Sequence, residues 1–268
     1  MDLKVSPIKV AARYTALKNG ARTPQVSPRA RLDFRRAIQE TVEHTKSRLL
    51  SKGLDPSLIN EVGVVQLLTG SKESAPRSRN DRGALVRAIV EIGWHKAMAK
   101  RRLDDLELEF NLEWVQTGSH TPFAVMLHDW LRASGVEGTR SGLEEPVPEE
   151  MLLDRERYVR YFELQYLLTQ EGLKGRHSRV TLYRGVRDSQ AQIQAREASS
   201  WSFSKEKAGE FAGPEGRVLS ITVPIEQVLR VIPNAHDEVI LSGVHGSSVK
   251  DEGPGNTERD KAFTVFDM

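Results

Sequence analysis

Three short segments in the last 90 residues of this 268-residue chain carry side chains that could do chemistry together. TLYRGV, 181–186, sets Arg184 near the end of an apolar strand run and follows it with Gly185, which lets a ligand approach the backbone. SWSFS, 200–204, sets Ser202 and Ser204 at alternate positions, with Trp201 and Phe203 between them, and leads into the helix-like KEKAGEFA with Phe211 near its end. NAHDEVILSG, 234–243, puts Glu238 where a polar loop runs into a strand. A guanidinium can grip a phosphate with paired hydrogen bonds, and a carboxylate beside a sugar can stabilise a developing cation. Singly, each residue also fits a plainer role: a strand-end ion-pair partner for Arg184, a solvent-facing strand side for the serines, an exposed loop acid for Glu238.

Other chemistries lack their residues. Without cysteine there is no disulfide framework, thiolate-held zinc, iron-sulfur cluster or cysteine nucleophile. The chain has no Gly-x4-Gly-Lys-Ser/Thr loop, no Gly-x-Gly-x-x-Gly after a strand, no His-Glu-x-x-His and no Gly-x-Ser-x-Gly elbow. His44, His95, His120, His128, His177, His236 and His245 show no spacing that argues for a metal site.

The elements that must position these residues change character along the chain. Residues 1–30, with Pro7, Pro24 and Pro28, read as an irregular arm or short helices. Phe34, Ile38, Val42 and Leu49 recur at helical spacing, Gly53 stops that helix and Asp55-Pro56 starts the next. The polar stretch 71–83 reads as an exposed loop, and 84–112 as one long helix or two joined near Arg101. A further helix begins at Pro122 behind Thr121, and 135–150 resembles a linker. Residues 149–172 read as helix, and from Arg179 onward short runs rich in Val, Ile, Thr and aromatics read as strands of a compact sheet. The expected fold class is therefore α+β: a mostly helical region over 1–150, then a region within 151–268 whose strands form a compact sheet.

Taken in order, the three segments resemble the Arg-Ser-Glu class of mono-ADP-ribosyltransferases, the NAD-using enzymes related to the cholera and C3-like toxins. The likeness rests on YRG at 183–185, SFS at 202–204 with Ala208, Phe211 and Ala212, and Glu238 leading into Val-Ile-Leu. It spans roughly residues 180–268 and implies an ADP-ribosyltransferase-like β-sandwich core in a catalytic domain over 151–268. The resemblance implies that NAD is the substrate, that Arg184 holds a phosphate or ribose, and that the Gly185 backbone lies against the nicotinamide amide. It implies that Ser202 orients the Glu238 carboxylate, which accepts from the ribose 2′-hydroxyl and stabilises the oxocarbenium. Tyr183, Phe203 and Ser204 join Arg184, Gly185 and Ser202 as NAD-binding residues, with Trp201, Phe203 and Phe211 as stacking aromatics; Phe211, at helical spacing from Ala208, reads better as core.

Two features depart from that pattern. Where the family carries Glu or Gln two residues before the catalytic glutamate, this chain has His236, which argues against arginine as the acceptor. His236 then reads as a general base near neutral pH or an acceptor-orienting group, and equally as a loop residue with no role or as part of an enzyme that transfers to water. The interval from Arg184 to Ser202 is also short, so NAD contacts from that region do not carry over.

Charge is segregated along the chain. Residues 1–102 hold 21 basic against 9 acidic residues, a net of +12, and residues 103–172 hold 5 against 15, a net of −10. The basic third is a footprint for nucleic acid or an acidic partner, or it lies against the acidic third. The acceptor is accordingly a protein or RNA. By resemblance the enzyme acts as a toxin, effector or phage-defence protein, neutralised by an antitoxin or immunity protein. The alternatives are an NAD glycohydrolase and a non-catalytic nucleic-acid-binding protein. No apolar run of signal-peptide or membrane-spanning length is present, which points to the cytoplasm, reached directly or by a specialised secretion route.

Overall fold

The computed structural model describes residues 24–70, 81–117, 122–134, 136, 149–175, 178–187, 196–232, 238–244 and 249–255. Of the arm expected over 1–30, residues 1–23 lie outside them and Pro28 onward is helix; of the linker expected over 135–150, residues 135 and 137–148 lie outside them and Glu149 begins a helix. The helices are α1 (Pro28–Ser51), α2 (Glu61–Leu68), α3 (Asp81–Ala99), α4 (Asp104–Thr117), α5 (Pro122–Ala133), α6 (Glu149–Leu153) and α7 (Arg155–Leu173). Strands β1 (Arg179–Val186) and β2 (Arg196–Ser202) follow, then α8 (Lys205–Ala212), β3 (Arg217–Pro224), β4 (Val228–Ile232), β5 (Glu238–Val244) and β6 (Val249–Pro254).

Local rules account for the helix ends. Ser27 caps α1 by accepting from the Ala30 amide, and Pro28 presets the first turn. Ser27 is itself anchored, because its amide and hydroxyl donate to the two oxygens of Glu163 on α7 at 2.7 and 2.8 Å. Asn60 caps α2 through the Gly63 amide. The long periodic run breaks into α3 and α4, and Arg102 between them takes a left-handed φ of 58° that no helix interior tolerates. The loop expected through residue 83 gives way to helix at Asp81, and the helix expected over 149–172 is interrupted at Asp154.

The helices bury one aromatic-rich core. Phe123 of α5 is its hub, with ring centres 4.9 Å from Phe110, 5.0 Å from Phe162, and 5.8 Å from both Tyr158 and Tyr161. Edge-to-face contacts of this kind add about 0.5–1.5 kcal/mol each beyond the burial itself. Leu229, Ile232 and Ile240 of the sheet pack into the same cluster, so helices and sheet share one core across α7.

The strands form one antiparallel sheet in the order β4-β5-β2-β1-β3-β6. Helices followed by an antiparallel sheet give the expected α+β class, and among the described residues the strands are in hydrogen-bonding continuity as one sheet rather than the two layers of the expected sandwich. The joint is narrow, however. β1 pairs with β3 along its whole length and β2 pairs with β5 from Arg196 to Ser202, whereas β1 and β2 pair only at Tyr183 and Ser202. The sheet is thus two three-stranded halves held at one position. On one side, Leu182, Ile221 and Val223 of one half cluster with Trp201, Val239 and Leu241 of the other. The opposite side of β4 and β5 carries the helical core, and that of β1 carries α8.

Candidate functional site

The site residues meet at the joint. Glu238 is the first residue of β5 and lies directly opposite Ser202, the last residue of β2; Ser202 in turn lies opposite Tyr183 of β1. Residues directly opposite in an antiparallel ladder point to the same side, with Cβ atoms about 5 Å apart. Glu238, Ser202 and Tyr183 therefore form a row on the helix-bearing side, between the strands covered by α7 and those covered by α8. Ser202 is buried, Glu238 and Tyr183 are half-buried, and Tyr183 packs against Ala208, Ala212 and Val218.

Arg184 is brought to the joint but not into this row. The pleat sends successive side chains to opposite sides, so Arg184, opposite Leu219, leaves β1 on the side away from Tyr183. Among the described residues β1 and β2 pair only at Tyr183 and Ser202, so Arg184 stands one position along β1 from the joint.

The turn that carries Ser202 is stiffened by its own hydroxyls. Ser202 Oγ accepts from the Ser204 amide at 3.0 Å. Ser204 caps α8, accepting from the Lys207 amide at 3.2 Å and donating to Glu206 at 2.7 Å, so this hydroxyl serves the helix end. Lys205, at the start of α8, pairs with Glu252 of β6 at 3.0 Å, and Ser220 of β3 donates to the same carboxylate at 2.6 Å. Those two partners, the Ser220 hydrogen bond foremost, hold the Glu252 carboxyl below its ordinary range.

The missing side chain of Gly185 is used by the protein itself. A Cβ there would lie 2.1 Å from the Ala208 carbonyl oxygen and 2.7 Å from the Ala212 nitrogen. The close approach expected of a ligand is made on this side by α8, whose small residues Ala208 and Ala212 rest on the strand.

The aromatic candidates separate. Trp201 is 3% exposed and belongs to the sheet core, which corrects its reading as a stacking platform. Phe203 is half-buried beside that cluster. Phe211 is 60% exposed, with the Arg187 guanidinium 5.0 Å from its ring centre, which corrects the expectation that it is core. The buried side of α8 is already set by Ala208 and Ala212, and Phe211 is turned off that side by the helical period. His236 and Asp237 lie outside the described residues.

One buried group escaped the sequence reading. Arg230, in the middle of the apolar run VLRVI of β4, is 7% exposed and engages Glu107 of α4 and Tyr161 of α7. The signal, a lone cation inside a strand run, is the same one that singles out Arg184. Burial pushes the Tyr161 hydroxyl well above its ordinary range; burial opposes the charge of Arg230, but Glu107 and Tyr161 hold its pKa above the usual value.

Among the described residues, no cluster of three His, Asp or Glu side chains could hold a metal ion, and no helix is long and apolar enough to cross a membrane. No protein-family model, curated protein or solved structure matches the chain.

Proposed function

We propose that the protein is a mono-ADP-ribosyltransferase that moves ADP-ribose from NAD to a macromolecular acceptor other than arginine. The observation that carries this reading is the register that sets Glu238 opposite Ser202 at a joint whose other strand holds Arg184. Breaking the bond between nicotinamide and its ribose sends the bonding electron pair away with neutral nicotinamide and leaves positive charge on the sugar. Glu238 accepts a hydrogen bond from the ribose 2′-hydroxyl and stabilises that charge, acting where the charge develops. Ser202 fixes the carboxylate from the facing strand. Arg184, one position along β1 from the joint, binds the phosphates, a task in which a guanidinium fork outperforms an ammonium. The acceptor's nucleophile closes the new bond to the anomeric carbon and gives up its proton, with His236 as the nearest candidate base in sequence.

The test is incubation of the purified protein, and of a Glu238→Ala variant, with labelled NAD and whole-cell extract, following label in protein, RNA, DNA and free ADP-ribose. Label in one macromolecular fraction, lost in the variant, supports transfer and names the acceptor class. Free ADP-ribose alone replaces transfer with hydrolysis, and untouched NAD rejects the enzyme reading.

A further inference from the structure

Arg230 sits at a junction of three elements. Its Nη2 donates to Glu107 Oε1 at 2.5 Å and its Nη1 donates to the Tyr161 hydroxyl at 2.5 Å. Its guanidinium also lies 4.0 Å from the centre of the Phe110 ring. The second oxygen of Glu107 accepts from the Tyr161 hydroxyl at 2.7 Å and from the Gln165 amide at 2.8 Å. One carboxylate thus ties α4, α7 and β4 together.

A buried ion pair adds little net stability over well-packed apolar residues, while loss of a single partner is severe, so what such a pair supplies is a fixed geometry. The register says which geometry. Arg230 lies opposite Ile240, and the next position on the same side of β4, Ile232, lies opposite Glu238. Ile232 and Ile240 both pack into the helical core. The strand that flanks Glu238 on the side away from Ser202 is therefore held to the helices by this cluster.

We propose that Arg230, Glu107 and Tyr161 form a positioning clamp that locks β4 to α4 and α7 and so holds the start of β5, with the Glu238 carboxylate, against Ser202. The catalytic consequence rests on the transferase reading above; the mechanical one does not. Arg230 and Glu107 are positioning residues that act through β4 and β5. The helical region, on this view, is a brace for the site.

The test compares the full-length parent with an R230M/E107Q variant, which removes both charges together and leaves neither partner stranded. Three measurements are made: thermal melting, steady-state NAD turnover, and amide hydrogen exchange followed by mass spectrometry. The clamp predicts near-parent melting, a kcat about tenfold lower with KM for NAD within about twofold, and faster exchange over residues 238–242 with unchanged exchange over 205–212. A pair without the positioning role would leave kcat and the 238–242 exchange at parent values, and either result overturns the proposal. If the parent leaves NAD untouched, the transferase reading fails. The exchange over 238–242 then decides the clamp alone: faster retains it and unchanged overturns it.

Discussion

Ser202 and Glu238 face each other across β2 and β5, each at the end of its strand nearest the β1 joint. They are separated by 36 positions in the chain, and the strand order that inserts β2 between β5 and β1 makes them neighbours. Ser202 Oγ is anchored by the Ser204 amide, so the hydroxyl that faces Glu238 has a defined place. The same register puts Tyr183 on the other flank of Ser202 and Arg184 one step further along β1.

Removing the Glu238 charge should abolish chemistry and spare the fold. Glu238→Gln is expected to lower kcat by about 100- to 1,000-fold, the usual loss when one group that stabilises transition-state charge is removed. Because the residue is half-buried at a strand end, stability should stay within about 0.5 kcal/mol of the parent. Turnover of labelled NAD and chemical denaturation together check this, and a variant that unfolds would give Glu238 a structural role instead.

Arg184→Lys keeps the charge and loses the fork. If the guanidinium binds phosphates, KM for NAD should rise by about tenfold, with a smaller effect on kcat. Titration of NAD binding by calorimetry on the inactive Glu238→Gln background reads the affinity directly. Equal affinity in the two proteins would remove Arg184 from the NAD site.

Gly185→Ala should damage stability more than any active-site substitution. The added methyl would enter the Ala208 carbonyl and the Ala212 amide of α8, backbone atoms with no rotamer to yield. Forced overpacking of this kind costs about 1–3 kcal/mol. A lowered melting temperature is expected, accompanied by partial loss of activity through displacement of the turn that carries Ser202 and Ser204.

Alkaline pH should loosen the contact between α7 and the sheet. Burial, with the Glu226 charge adding to it, pushes the Tyr166 hydroxyl from 10.0 up to about 12, and this hydroxyl donates to the Glu226 carbonyl oxygen at 3.1 Å. A pKa raised on folding means that the folded chain holds its proton longer, so this contribution is complete below pH 10 and is lost as the pH climbs toward 12. Melting temperature should fall across that window, with Tyr161 adding to the trend at the upper end because burial raises it as well. Tyr166→Phe should flatten the slope between those limits, and an unchanged slope would exclude the residue as its source.

Much of this molecule is legible from local pattern. The 3.6-residue period of Phe34, Ile38, Val42 and Leu49 marks α1, and the switch to β-branched residues after Arg179 marks the sheet, because side-chain periodicity is set by each element's own geometry. Arg184, Ser202 and Glu238 stand out by residue type at strand ends, which is also a local property. Tertiary structure decided what those positions mean. Only strand pairing puts Glu238 opposite Ser202 and sets Arg184 across the pleat from them, since register depends on hydrogen bonds between segments far apart in the chain. Only packing assigns Gly185 to α8, buries Trp201 and exposes Phe211, because a glycine, an alanine pair or an aromatic ring reads the same until its neighbour is known. Arg230 makes the point most sharply. As a letter in VLRVI it is an anomaly, and it becomes a clamp only when Glu107 and Tyr161 arrive from helices 123 and 69 residues away.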